Sequence, residues 1–266
     1  MSSKKENRAR KIIRNLRPID DALFAVLAED KAVIQEMLRV FLSDDKLVVT
    51  EVIPQRSIAN LLGRAIRLDA LCRLGDGRRC NVEIQRADND DHLRRVRYNA
   101  SGITWSATNK GTKFSDVPDV CVIYISEFDF LGGGCTIYHV DNVIRETGQT
   151  VDNGLEMIFI NANIDDGSKI ADLMRCFLQS NVSNPEFPAL SKKMDEIKNT
   201  EKGVNEMSSV IERYYQEDLQ KEKTKIEMDT IARLVEKGLL SIEQGAQELG
   251  ISKEKMQAIL SAQKNG

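Results

Sequence analysis

The chain has 266 residues and a mass of 29.9 kDa, with 41% hydrophobic and 30% charged residues and a formal net charge of -3 at pH 7. That supports one sizeable core with a smaller appendage, and it is too charged for a membrane protein. No apolar run approaches the ~20 residues of a membrane span, and net acidity confines any nucleic-acid surface to a local patch.

Residues 1–17 hold seven Lys or Arg and one Glu, and read as a basic, solvated N-terminal tail. They contain no apolar stretch of the secretory type, and the odd, scattered cysteines suit reduced thiols in a cytoplasm. Residues 18–43 carry Pro18, Asp20 and Asp21 as helix-start signals, and Leu23, Phe24, Leu27, then Val33, Ile34, Met37, Leu38 and Phe41 at helical spacing. This predicts two short helices or one bent near Glu29-Asp30. Residues 64–86 read as a hairpin about Gly75-Asp76-Gly77. Residues 93–110 read as a helix. The segments 119–126, 135–140 and 156–161 read as strands, and 168–179 as a helix. Residues 186–224 read as a charged helical connector. Residues 225–266 form a small helical unit with helix-turn-helix punctuation: Gly238 and Gly250 at helix ends, Ser241 and Ser252 at helix starts. Its six basic and six acidic residues give no electrostatic footprint for DNA, so a helical cap or oligomerisation element is the favoured reading. The order of elements predicts an α/β sandwich, a mixed central sheet flanked by helices, with an all-helical C-terminal extension.

Side-chain chemistry narrows the function. Five cysteines are scattered without a CxxC pair, which argues against structural zinc or a disulfide framework. Only His92 and His139 are present, so carboxylates, amides and basic side chains must carry any catalysis. Trp105 reads as a core residue, and Gly132-Gly133-Gly134 as a turn.

The hairpin is the most informative segment. With Leu74 facing Arg78, Cys72 faces Cys80 and Ala70 faces Val82 on an apolar side. Leu71 then faces Asn81, Asp69 faces Glu83 and Arg67 faces Gln85 on a polar side. Opposed carboxylates repel. A hard divalent cation such as Mg²⁺ offsets that repulsion and can activate a water. The alternative is that both acids are solvated charges on an outer sheet face. On the 93–110 helix, Arg94 or Arg95 lies on one face with Tyr98, which suits contact with phosphate.

The string LDALCRLGDGRRCNVEIQR, with PIDDALF before it and HLRRVRYNASGI, KFSDVPDVCVIYISEFDFLGGG, YHVDN and EMIFIN after it, resembles the PD-(D/E)XK nuclease family transposases, also called recombination-promoting nucleases. The resemblance runs over about residues 18–165. It implies a restriction-endonuclease-like core over 18–185. It further implies a bacterial, Mg²⁺-dependent DNA endonuclease, with Mn²⁺ as an alternative ion, linked to recombination or mobile elements. Asp69 and Glu83 would hold the metal, with Gln85 where the superfamily usually has Lys. Arg95, Arg97 and Tyr98 would contact DNA phosphate, and Asp21 would be an accessory acid. DNA is the expected partner, together with homo-oligomerisation through the C-terminal helices. A catalytically weak DNA- or protein-binding module on the same fold is the alternative.

Overall fold

The computed structural model describes residues 2–59, 65–88 and 91–264. The chain divides into two compact units, residues 1–208 and 209–266.

The first unit opens with α1, Ser2–Asn15. The expected tail is therefore helical, for two visible reasons. Ile13 is buried, and the Lys198 ammonium donates to the carbonyls of Arg14 and Leu16 at 3.0 and 2.6 Å, which tethers the helix C-terminus. The predicted N-terminal helical segment splits into α2, Asp21–Leu27, and α3, Lys31–Phe41. Asp30 divides them by capping α3, its carboxylate accepting from the Ala32 and Val33 amides.

Six strands form a mixed sheet in the order β1-β2-β3-β4-β8-β5. They are β1 Val49–Ile58, β2 Ile66–Leu74, β3 Arg79–Gln85, β4 Val120–Ser126, β5 Ile137–Val140 and β8 Leu155–Asn161. Two short strands, β6 Asn142–Val143 and β7 Thr150–Val151, pair separately. The β2–β3 register is the predicted one, with Cys72 opposite Cys80 and Ala70 opposite Val82. Arg64, at the start of the predicted hairpin segment, lies outside the described residues. Strands β3, β4 and β8 run parallel, and the β3-to-β4 crossover is α4, His92–Ser106. Val96, Ala100 and Ile103 of α4 pack on Ile66, Leu68, Val122 and Tyr124. Gly102 permits this approach: a Cβ there would stand 2.0 Å from Ile66 Cδ1. Trp105 departs from its expected core position. It falls on the side of α4 away from that apolar stripe and is 53% exposed.

The unit is completed by α5, Lys169–Phe177, α6, Pro188–Asn199, and the start of α7, Glu201–Glu236. Leu190, Met194 and Ile197 of α6, and Val204 and Met207 of α7, are buried. The Glu36 carboxylate of α3 accepts from the Ala189 and Leu190 amides at 2.9 Å, which satisfies two of the free amides at the α6 N-terminus.

The second unit contains the remainder of α7 with α8, Ile242–Glu248, and α9, Lys253–Lys264. Ser241 and Gln244 form a capping box at α8. Ala232, Ala246 and Met256 make its small core. Among the described residues no helix is long and apolar enough to cross a membrane.

Candidate active site

Asp69 on β2 and Glu83 on β3 stand where the paired ladder of the hairpin ends, one step beyond Ala70–Val82. The Ile84 amide beyond that point donates to Asp69 Oδ2 at 3.1 Å. The Asp69 amide in turn helps to stabilise an ionised Glu83. Each carboxylate therefore draws on the backbone of the opposite strand, and the open end of the hairpin becomes an acidic notch.

Helix α4 covers this notch. Glu83 is buried, which excludes the reading of it as a solvated charge on an outer face. Its Oε1 accepts from Asn81 Nδ2 at 2.6 Å and from Asn99 Nδ2 at 3.1 Å. Neither amide was assigned a role from the sequence. Asn99 was findable, because it sits among Val96, Ala100 and Ile103 on the buried side of α4, where a polar residue needs a partner.

Burial and mutual repulsion set the protonation of the pair. Burial, aided by the Asp21 charge, pushes Asp69 up to about 6, while the Ile84 amide, Arg67 and Arg95 oppose the shift. Burial and the Asp69 charge push Glu83 well above the usual carboxylate range, against the Asn81 amide and Arg95. Between the ordinary Asp value of 3.8 and about 6, the folded chain holds a proton that the unfolded chain releases. The Asp69 contribution to stability is therefore present below that window and is lost as pH rises through it. Asp69→Asn is expected to raise the urea midpoint in EDTA at pH 8 by the equivalent of about 3 kcal/mol, with the gain vanishing below pH 4. A gain of equal size at both pH values would contradict the assignment.

The remaining predicted residues divide. Arg95 belongs to the site: its charge favours ionisation of Asp69 and Glu83 alike. One guanidinium nitrogen pairs with Asp91 at 3.1 Å, while its buried Nε has no hydrogen-bond partner among the described residues. Gln85 ends β3 half-buried, with its amide nitrogen donating to the Ala87 carbonyl at 2.6 Å. Arg97 and Tyr98 lie on the exposed side of α4. Asp21 begins α2 and acts on Asp69 through its charge. Among the described residues no three His, Cys, Asp or Glu side chains gather to hold a metal.

Two polar clusters fix the frame around the notch. Arg86, directly after Gln85, bridges Asp20 at 2.8 Å and Glu127 at 3.0 Å, and Arg17 contacts the same two acids. This joins the end of β3 to the start of α2 and the end of β4. His92 is buried at the start of α4, between the Tyr124 hydroxyl at 2.8 Å and Asp88 at 3.0 Å, with Phe128 and Phe130 against its ring. It anchors α4.

The donor set suits a hard dication. Mg²⁺ takes oxygen ligands and is commonly held by one or two carboxylates, with waters and substrate phosphate completing the shell. Two carboxylates that resist joint ionisation, beside an unpartnered Arg95 donor, fit that arrangement. A family model described as PD-(D/E)XK nuclease family transposase matches residues 21–236. Comparisons with curated proteins and with solved structures return no match.

Proposed function

The chain belongs to the PD-(D/E)XK nuclease family transposases, and on that premise we propose that it is a divalent-metal-dependent DNA endonuclease acting in DNA recombination or transposition. The observation that carries this reading is the juxtaposition of Asp69 and Glu83 in a notch where burial and repulsion oppose their joint ionisation. Both carboxylates would hold Mg²⁺, with Mn²⁺ able to replace it. A divalent ion bound there supplies an acidified water and polarises a phosphoryl oxygen.

The chain's own residues do the rest. Asn81 and Asn99 fix Glu83 Oε1, so that its carboxylate cannot swing out of the notch. The Ile84 amide holds Asp69 in the same way. The Arg95 guanidinium charge stabilises the negative charge that builds on the phosphate during hydrolysis. Gln85, with its nitrogen committed to Ala87, offers its carbonyl oxygen as an acceptor that orients the attacking water. A neutral amide cannot remove the proton, so Gln85 would orient the water without serving as its base. Arg97 and Tyr98 contact the DNA backbone from the exposed side of α4.

DNA binding without cleavage is the competing reading, favoured by Gln85 at the position the superfamily usually fills with Lys. Incubation of supercoiled plasmid with the protein separates the two. Nicking that requires Mg²⁺ or Mn²⁺ and stops with EDTA supports hydrolysis; intact plasmid retarded on a gel supports binding alone.

A further inference from the structure

We propose that the outer face of α4 and the turn after it form a stacking platform for an unpaired DNA strand. This rests on the nuclease reading and adds to it the class of substrate.

The chain is acidic overall, yet residues 92–115 contain Arg94, Arg95, Arg97, Lys110 and Lys113 and no Asp or Glu. Aromatic rings are interleaved with these cations and face solvent: Tyr98 is 38% exposed, Trp105 53% and Phe114 97%. Arg94, Tyr98, Ser101 and Trp105 follow one another at helical spacing and form one stripe along α4. Phe114 opens the 3-10 turn Phe114–Asp116 that leads towards β4. Arg94, Arg97, Lys110 and Lys113 are exposed, and none makes an ion pair among the described residues.

A single exposed aromatic needs no explanation. Three of them among four exposed cations within about 20 residues match the composition that holds single strands: cations follow the phosphates, and ring faces accept bases. A duplex keeps its base faces stacked on one another, so only unpaired bases can lie on Trp105 and Phe114. The same helix reaches the carboxylate pair. Asn99 bonds Glu83, Arg95 acts on both acids, and Trp105 stands ten residues beyond Arg95, about 15 Å along the helix axis. A strand laid on this face therefore follows the same helix that carries Asn99 and Arg95 to the carboxylate pair.

Trp105 is the only tryptophan, so its emission reports on the platform alone. The test titrates the whole chain in EDTA with an oligothymidylate of about 15 nucleotides, and with a blunt duplex of the same length. Trp105 emission should be quenched by the oligothymidylate. Phe114→Ala, at a side chain that supports no packing, should weaken oligothymidylate binding about tenfold and leave duplex binding unchanged. Unchanged Trp105 emission at saturation, or equal weakening for both ligands, overturns the proposal. Quenching that depends on protein concentration without DNA, with a doubled mass, assigns the face to a second copy and overturns it too. Cleavage is scored separately: quenching without plasmid nicking keeps the platform and removes the nuclease, and nicking without quenching does the reverse.

Discussion

Glu83→Gln is expected to lower metal-dependent plasmid cleavage by about 10³-fold, corresponding to about 4 kcal/mol of lost transition-state stabilisation. The substitution is close to isosteric, and the Gln carbonyl can still accept from Asn81 and Asn99, so the notch keeps its shape. What disappears is one of the two negative charges. Removing it also removes the buried acid that the Asp69 charge repels, so the variant should fold at least as stably as the parent chain at pH 8. Loss of cleavage with retained or increased stability is the signature of a residue kept for chemistry. Asp69→Ala should fall by a similar factor. Cleavage within threefold of the parent rate in either variant would remove the pair from the mechanism.

Asn99→Ala is expected to cost 10- to 100-fold in metal affinity, with a matching loss in cleavage at limiting metal. Asn99 touches no reacting atom. It acts by holding Glu83 Oε1 from above, while Asn81 holds the same oxygen from within β3. Without it, Glu83 keeps one amide partner and gains rotational freedom. A positioning role predicts that raising Mn²⁺ restores most of the rate, because the ligands remain. A purely structural role predicts lower stability and no rescue by metal. Asn99→Gln offers the same amide on a longer stem and should recover little, since the buried space is filled by Val96, Ala100 and Ile103.

Much of this site was legible in the residues alone. The alternation of LDALC against RCNVE about a Gly-Asp-Gly turn admits one register that separates apolar from polar side chains, and the chain adopts it. That register set Asp69 against Glu83. What it could not show was the cover over the polar face, because alternation describes one sheet and α4 arrives from the crossover. Glu83 is therefore buried and held by Asn99, where the pattern alone allowed a solvated acid. Strand β1 escaped notice for a different reason. Pro54 and a residue of positive φ, Gln55 at 52°, interrupt any alternation, and an edge strand tolerates both. Charge also misled. Residues 1–17 read as a solvated tail and 186–224 as a charged connector, yet Ile13, Leu190, Met194 and Ile197 are buried. Trp105 shows the converse, an apolar residue whose helical phase turns it outward.

Calorimetric titration of Mn²⁺ into the whole chain, at pH 5.5 and pH 8 and in buffers of different ionisation enthalpy, asks whether Asp69 and Glu83 share a cation. The account predicts saturable binding at pH 8 that weakens sharply at pH 5.5, proton release on binding as both raised carboxyls ionise, and loss of the signal in Glu83→Gln. Binding of equal strength at the two pH values, or undiminished in that variant, would place the ion elsewhere and contradict it.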